Sequence, residues 1–159
     1  MFFKIVNFFR ILKLRLKGVK IGKNVKIYSH TNIYGKRTVI GGNVKIGAFV
    51  EIQNGCIIKD NCVISSHSFL CDGTILEGNN FVGHGTVFSN DSFPKPFNDN
   101  YNFRGALVNK GACIGNNVTL CPGIILGENC LIGAGATVTK SVSKNEIWCG
   151  NPARLLRKK

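Results

Sequence analysis

Residues 40–91 read IGGNVKIGAFVEIQNGCIIKDNCVISSHSFLCDGTILEGNNFVGHGTVFSND. Every sixth residue of this stretch is large and apolar: Ile40, Ile46, Ile52, Ile58, Ile64, Leu70, Leu76, Val82 and Phe88. A helix repeats at 3.6 residues and a strand at 2, so a period of six fits neither as a continuous element. It fits a chain that makes a short strand, turns and makes another, each strand sending one large side chain into a shared core. The residue two before each slot is mostly small or β-branched (Val44, Val50, Cys56, Cys62, Ser68, Thr74, Thr86). Residues two apart on a strand share a face, so this column also points inward. Three after each slot come Asn43, Phe49, Gly55, Asn61, His67, Gly73, Asn79 and Gly85. Gly and Asn tolerate the positive φ that a tight corner needs, and Phe49 and His67 depart from that rule.

The ladder extends in both directions. Ile21, Ile27 and Ile33 precede it, with one extra residue near Lys36-Arg37 before Ile40. Residues 89–105 break the pattern with two prolines and four asparagines and read as an excursion loop. The period resumes at Val108, Ile114, Leu120, Leu126, Ile132 and Val138. Eighteen hexads make six triangular coils. The expected fold is an all-β solenoid, a parallel β-helix over residues 19–140. A basic helix over 1–18 precedes it and a basic tail over 141–159, read as a short helix, follows it.

In the leading segment Ile5, Phe8, Phe9, Leu12 and Leu16 share one helical face beside Arg10, Lys13, Lys17 and Lys20. The preferred reading is that this helix packs on the first coil or a neighbouring subunit and covers open strand edges. The alternative is a peripheral contact with a membrane surface through residues 1–17. The segment does not read as a secretory signal, since charges interrupt its apolar run.

Length bounds the chain to one domain of 159 residues. Seven cysteines without a CxxC pair indicate a reducing cytoplasm and no disulfide framework. The net charge of +13 sits at the ends: residues 1–26 hold eight Lys/Arg and no acid, and the tail adds Arg154, Arg157, Lys158 and Lys159. Such ends suit phosphate-bearing cofactors, acidic lipid or nucleic acid. Nucleic acid ranks last, because no aromatic platform, helix-turn-helix or zinc-finger pattern accompanies the charge.

Function is expected near the excursion loop, since loops on rigid scaffolds carry chemistry. His67 and His84 are 17 residues apart, so they fall near one corner on adjacent rungs, roughly 5 Å apart along the stacking direction. Asn90 and Asp91 open the loop, and the four are expected to converge. The competing reading of His67 is a solvated corner residue. Asp72 and Glu77 read as turn residues. No metal is expected, because a catalytic zinc needs three protein ligands and the chain's three histidines are spread over several coils.

The ladder, the loop, and the ending Gly133-Ala134-Gly135-Ala136-Thr137-Val138-Thr139-Lys140 with Gly150-Asn151-Pro152-Ala153-Arg154 resemble the left-handed β-helix acyltransferases that use acetyl-CoA. The resemblance covers about residues 20–157. Phe49-Val50-Glu51-Ile52-Gln53, Ile64-Ser65-Ser66-His67-Ser68-Phe69 and Gly83-His84-Gly85-Thr86 through Asn90-Asp91-Ser92-Phe93-Pro94 are similar to one branch. Its members N-acetylate the 3-amino group of UDP- or dTDP-linked amino sugars for bacterial surface polysaccharide.

The resemblance implies a cytoplasmic homotrimer, with sites between subunits. It implies acetyl-CoA as co-substrate along the coils near residues 110–137, touching Lys110, Gly115, Gly133 and Ala134. Lys140, Asn151, Arg154 and Arg157 would meet the cofactor; fixed cations, Arg above all, suit its phosphates. It places His67 and Asn90 in the catalytic role and Ser66, His84 and Asp91 on the sugar. The expected reaction is direct attack of the amine on the thioester, with no acyl-enzyme. Binding would hold the partners together and backbone N–H groups would support the oxyanion. Imidazole is suited to accept the amine proton, although some members of the branch place Asn at the position of His67. The runner-up is an O-acetyltransferase of a capsule or lipopolysaccharide sugar, suggested by the basic N-terminus. That class carries a histidine in the excursion loop, and this loop has none. A non-catalytic hexapeptide scaffold ranks third, together with a zinc enzyme of the carbonic-anhydrase kind on the same helix.

Overall fold

The structure, a computed structural model, describes residues 2–35, 37–97 and 103–159. After α1 (Phe2–Leu16) the chain winds into a parallel β-solenoid with three faces. The first face stacks β1 (Lys20–Ile21), β4 (Val39–Ile40), β7 (Ile57–Ile58), β10 (Ile75–Leu76), β13 (Leu107–Val108) and β16 (Ile125–Leu126). The second stacks β2 (Lys26–Ile27), β5 (Lys45–Ile46), β8 (Val63–Ile64), β11 (Phe81–Val82), β14 (Cys113–Ile114) and β17 (Leu131–Ile132). The third stacks β3 (Asn32–Ile33), β6 (Glu51–Ile52), β9 (Phe69–Leu70), β12 (Val87–Phe88), β15 (Thr119–Leu120) and β18 (Thr137–Val138). Each rung pairs in register with the rung one coil away, as Ile46 with Ile64 and Val82 with Ile114.

The six-residue period is thus a strand of two residues and a corner of four. The second residue of every rung strand is buried, apart from Ile21 at the first edge. Each such side chain contributes about 1.5–3 kcal/mol by leaving water. The small column is buried as well, and its hydroxyls serve the corners: Ser68 Oγ donates to the Gly83 carbonyl at 2.9 Å and Thr86 Oγ1 to that of Gly115 at 3.0 Å. Asn80 takes one of these inward slots; its amide accepts from the Gly78 N–H and donates to the carbonyls of Asn109 and Ala112.

Every expected corner residue has positive φ, including Phe49 at 58° and His67 at 62°. The extra residue before Ile40 falls on Lys36, outside the described residues, and Arg37; the rungs on either side keep their register.

Both ends of the solenoid are covered. At the first coil Asn7 of α1 behaves as a strand would: its Nδ2 donates to the Val25 carbonyl at 2.9 Å and its Oδ1 accepts from the Ile27 N–H at 2.8 Å. Arg10 and Arg15 donate to the carbonyls of Ile27 and Ile21, and Ile11 and Leu14 pack on the core. The expected apolar face is not the buried one: Phe8, Phe9 and Leu16 remain 61%, 61% and 82% exposed. At the far end the tail forms a β-hairpin rather than the expected short helix. β19 (Glu146–Cys149) adds to β17 in parallel and β20 (Arg154–Lys158) returns antiparallel. An open strand edge offers unpaired N–H and C=O groups that the backbone of another strand meets directly, and Gly150-Asn151-Pro152 supplies the turn. The excursion loop leaves after β12, and a hydrogen bond from the Arg104 N–H to the Asn90 carbonyl, 2.9 Å, closes its neck.

Candidate functional site

The corner between the second and third faces carries the residues with chemistry. Its positive-φ column runs His30, Phe49, His67, Gly85, Asn117 and Gly135. Rung stacking brings three of these rings face to face: His30 lies on Phe49 with centroids 4.7 Å apart, and Phe49 on His67 at 4.9 Å. Gly85 follows His67 without a side chain, so the stack ends there. His84 stands one position earlier in its corner, aligned with Ser66, because the Gly85 N–H donates to the Ser66 carbonyl at 3.1 Å. Its own N–H donates to Asn116 Oδ1 at 2.9 Å. Both imidazoles are exposed.

On the second-face side of this corner a cleft of about 390 Å³ opens, lined by Tyr28, Lys45, Ser65, Ser66, Phe81 and His84 among others. Lys45 Nζ lies 5.6 Å from the centre of the Tyr28 ring. The cleft therefore combines two aromatic walls, a cation, two hydroxyls and an imidazole. His67 sits beside it on the corner and does not line it. Tyr28, Lys45 and Phe81 were not expected from the sequence. For Lys45 and Phe81 the signal was there in the outward slot of the second face, which reads Lys26, Lys45, Val63, Phe81; Tyr28 opens the corner after Ile27.

Asn90 and Asp91 do not join this group within one chain. They follow β12, at the corner between the third and first faces, six residues of chain beyond His84 and so up to about 20 Å away. There the Asp91 carboxylate accepts from the Phe93 N–H at 2.9 Å, shaping the loop's first turn.

Further up the second-to-third corner the side chains shrink. Gly83, Gly115 and Gly133 occupy successive rungs, and a Cβ on Gly83 would stand 2.4 Å from the backbone of Gly115. The same slot holds Tyr28 and Ser65 on lower rungs, so the run of glycines belongs to these upper rungs. Gly115, Gly133 and Ala134 thus leave a strip of this corner with little side chain, beside the exposed Asn116 and Asn117. Lys140 follows β18, and Asn151 and Arg154 belong to the terminal hairpin, whose turn docks on Thr137 through its bonds to the Gly150 carbonyl and the Ala153 N–H. Arg157 lies on β20 opposite Ile147. Lys110 is apart from these, at the first-to-second corner near Lys59 and Glu77.

No thiol is poised as a nucleophile in the core. Burial pushes Cys56 up to about 12 and Cys130 to about 11, and raises Cys62 and Cys71 as well. Among the described residues no group of three His, Cys, Asp or Glu is placed to hold a metal.

The fold is a parallel solenoid with a six-residue repeat and three faces. The bacterial transferase hexapeptide family, six repeats, matches residues 37–72 and 105–140. The chain is 35% identical over 95 residues to the galactoside O-acetyltransferase of Lactococcus lactis, covering 56% of this chain and 46% of that protein. It is 42% identical over 53 residues to the dTDP-3-amino-3,6-dideoxy-alpha-D-galactopyranose 3-N-acetyltransferase of Aneurinibacillus thermoaerophilus, covering 33% and 28%. The matched stretches thus span less than half of those relatives. In fold the chain is similar to a mutant of AntD, an N-acyltransferase from Bacillus cereus, in complex with dTDP and coenzyme A. There the TM-score is 0.79 at 23% identity, over 93% of this chain and 89% of that one.

Proposed function

We propose that this protein is an acyl-CoA-dependent acyltransferase that acetylates the amine of a nucleotide-linked amino sugar by direct attack on the thioester. The observation that carries the reading is the polar aromatic cleft holding His84, continued along the same corner by a strip where Gly115, Gly133 and Ala134 carry little side chain. The cleft suits a sugar nucleotide: Tyr28 and Phe81 offer ring faces, Lys45 a counter-charge for phosphate, Ser66 a hydroxyl. The strip suits the thin pantetheine arm, leading toward Arg154 and Arg157 of the terminal hairpin, while Lys140 stands at the third-to-first corner. The similarity to AntD, crystallised with dTDP and coenzyme A, and to the dTDP-amino-sugar 3-N-acetyltransferase supports both halves.

In the reaction the amine nitrogen forms a bond to the thioester carbon, the C–S bond breaks, and the nitrogen's proton passes to an imidazole and on to the departing sulfur. Holding the two reactants together supplies most of the acceleration. His84 faces the acceptor from inside the cleft, and His67 steadies it from the corner. Asn90 and Asp91 act from a neighbouring subunit of a homotrimer. The outward residues of the first face, Val39, Ile57, Ile75, Leu107 and Ile125, form the apolar strip that such packing would cover. The amino sugar is a 3-amino, UDP- or dTDP-linked precursor of surface polysaccharide, and the reaction belongs in the cytoplasm, where acetyl-CoA is made.

The second reading is O-acetylation of a sugar hydroxyl, favoured by the similarity to the galactoside O-acetyltransferase. Free-thiol release from acetyl-CoA with an amino-sugar nucleotide, in site variants, tests the assignment. His84→Ala is expected to lower kcat/KM by about a hundredfold, the low end of what a positioned proton acceptor supplies. His67→Asn retains more activity than His67→Ala. Activity unchanged in all three variants would remove this corner from the reaction.

A further inference from the structure

The N-terminal helix turns its apolar stripe away from the protein it belongs to. At about 100° per residue, Asn7, Ile11 and Leu14 lie within one arc of α1 and meet the first coil. Phe8, Leu12, Ile5, Leu16 and Phe9 lie within a second arc centred about 150° from the first. All five are exposed, from 43% at Leu12 to 82% at Leu16. The helix is therefore a layer with two working faces, the inner one held by the Asn7 bonds and the outer one apolar and bare. Lys4 and Arg15 flank the outer stripe on one side, and Lys13 flanks it on the other, with Lys17 just past the helix end. Lys20, Lys23 and Lys26 follow in the first coil. The first acidic residue of the chain is Glu51.

We infer that this face docks on an anionic lipid surface. An apolar stripe rimmed by cations matches the boundary between acyl chains and headgroups: the rings and Leu16 enter the hydrocarbon while the lysines reach the phosphates. Charge argues against a second copy of this chain on the same face. Two such stripes packed together would crowd their basic rims, with no carboxylate among the first fifty residues of either chain to offset them. Spanning is not at issue, since no helix among the described residues is long and apolar enough to cross a membrane. The apolar docking stripe contains none of the cleft residues, and α1 meets the cleft through Phe3, whose ring lies 5.0 Å from that of Tyr28.

The test is sedimentation of the full-length chain with vesicles of phosphatidylcholine alone or containing phosphatidylglycerol. Binding to the anionic vesicles is expected to exceed that to the neutral ones by at least about tenfold, as several lysines near a charged surface provide. Phe8→Ser with Phe9→Ser and Leu16→Ser should abolish it without changing the melting temperature, because the inner face is untouched. Lys4→Gln with Lys13→Gln should remove the preference for anionic lipid. Equal binding by the serine variant and the wild type would overturn the inference. So would absence of binding to either vesicle, or self-association of the wild type, seen in sedimentation velocity, that the serine substitutions abolish.

Discussion

His84, Ser66 and Lys45 show what a single position means in a solenoid. Each is an outward or corner residue of one rung, and stacking in register turns a spacing of about 18 residues into contact. The same stacking makes the inward cysteines inert. An unfolded chain releases thiol protons near pH 9.0, whereas the folded chain holds that of Cys56 to about 12 and that of Cys130 to about 11, chiefly through burial. Above pH 9.0 the folded state therefore binds more protons than the unfolded one, and stability falls as pH rises; below it this contribution is intact. Urea midpoints from neutral pH to about pH 10.5 should show the fall, and Cys56→Ala with Cys130→Ala should flatten it. An equally steep fall in that variant would assign it to other groups. His67 marks the limit of sequence reading at this scale. Its slot and its positive φ follow from the period, but its stacking on Phe49 depends on two side chains that the period leaves free. Lys45 and Phe81, in the outward column, and Tyr28, at the start of its corner, went unread because neither slot has a periodic constraint of its own.

At the scale of the element, the rungs and the helix over the first coil were legible, while the packing face of that helix and the terminal hairpin were not. A ladder with one apolar residue in six has one way to bury it, so β1 through β18 fall where the period puts them. In α1 the periodicity identifies an apolar stripe, yet the stripe that packs is the one containing Asn7. The first coil presents strand N–H and C=O groups, and only a polar side chain can satisfy them. Asn7→Ala leaves the Val25 carbonyl and the Ile27 N–H without these partners, and should destabilise the protein by about 1–3 kcal/mol. Loss of hydrogen-exchange protection at Ile27 would locate the effect. Unchanged stability and protection would show that α1 is held by Ile11 and Leu14 alone. The tail misread has the same cause: the open edge of β17 recruits residues 146–158 as strands, and composition alone does not reveal an edge in need of pairing.

Across the whole molecule, the solenoid sets a corner on which the cleft is followed by the strip of Gly115, Gly133 and Ala134, while the helix and hairpin close its ends. The loop after β12 opens at a different corner from His84. The sequence reading placed Asn90 and Asp91 beside the histidines because closeness in the chain suggested it. A triangular cross-section sends the chain to a new corner every six residues, so loop and cleft meet only if a second copy brings them together. The central claim is acetyl transfer from acetyl-CoA to nitrogen, and the most direct measurement is coenzyme A release over matched acceptors. Nucleotide-linked 3-amino sugars would be set beside their 3-hydroxy counterparts, with product mass read in parallel. The account predicts release with the amino sugars and a product heavier by one acetyl group. Release with the hydroxy sugars alone, or with neither set, would contradict it.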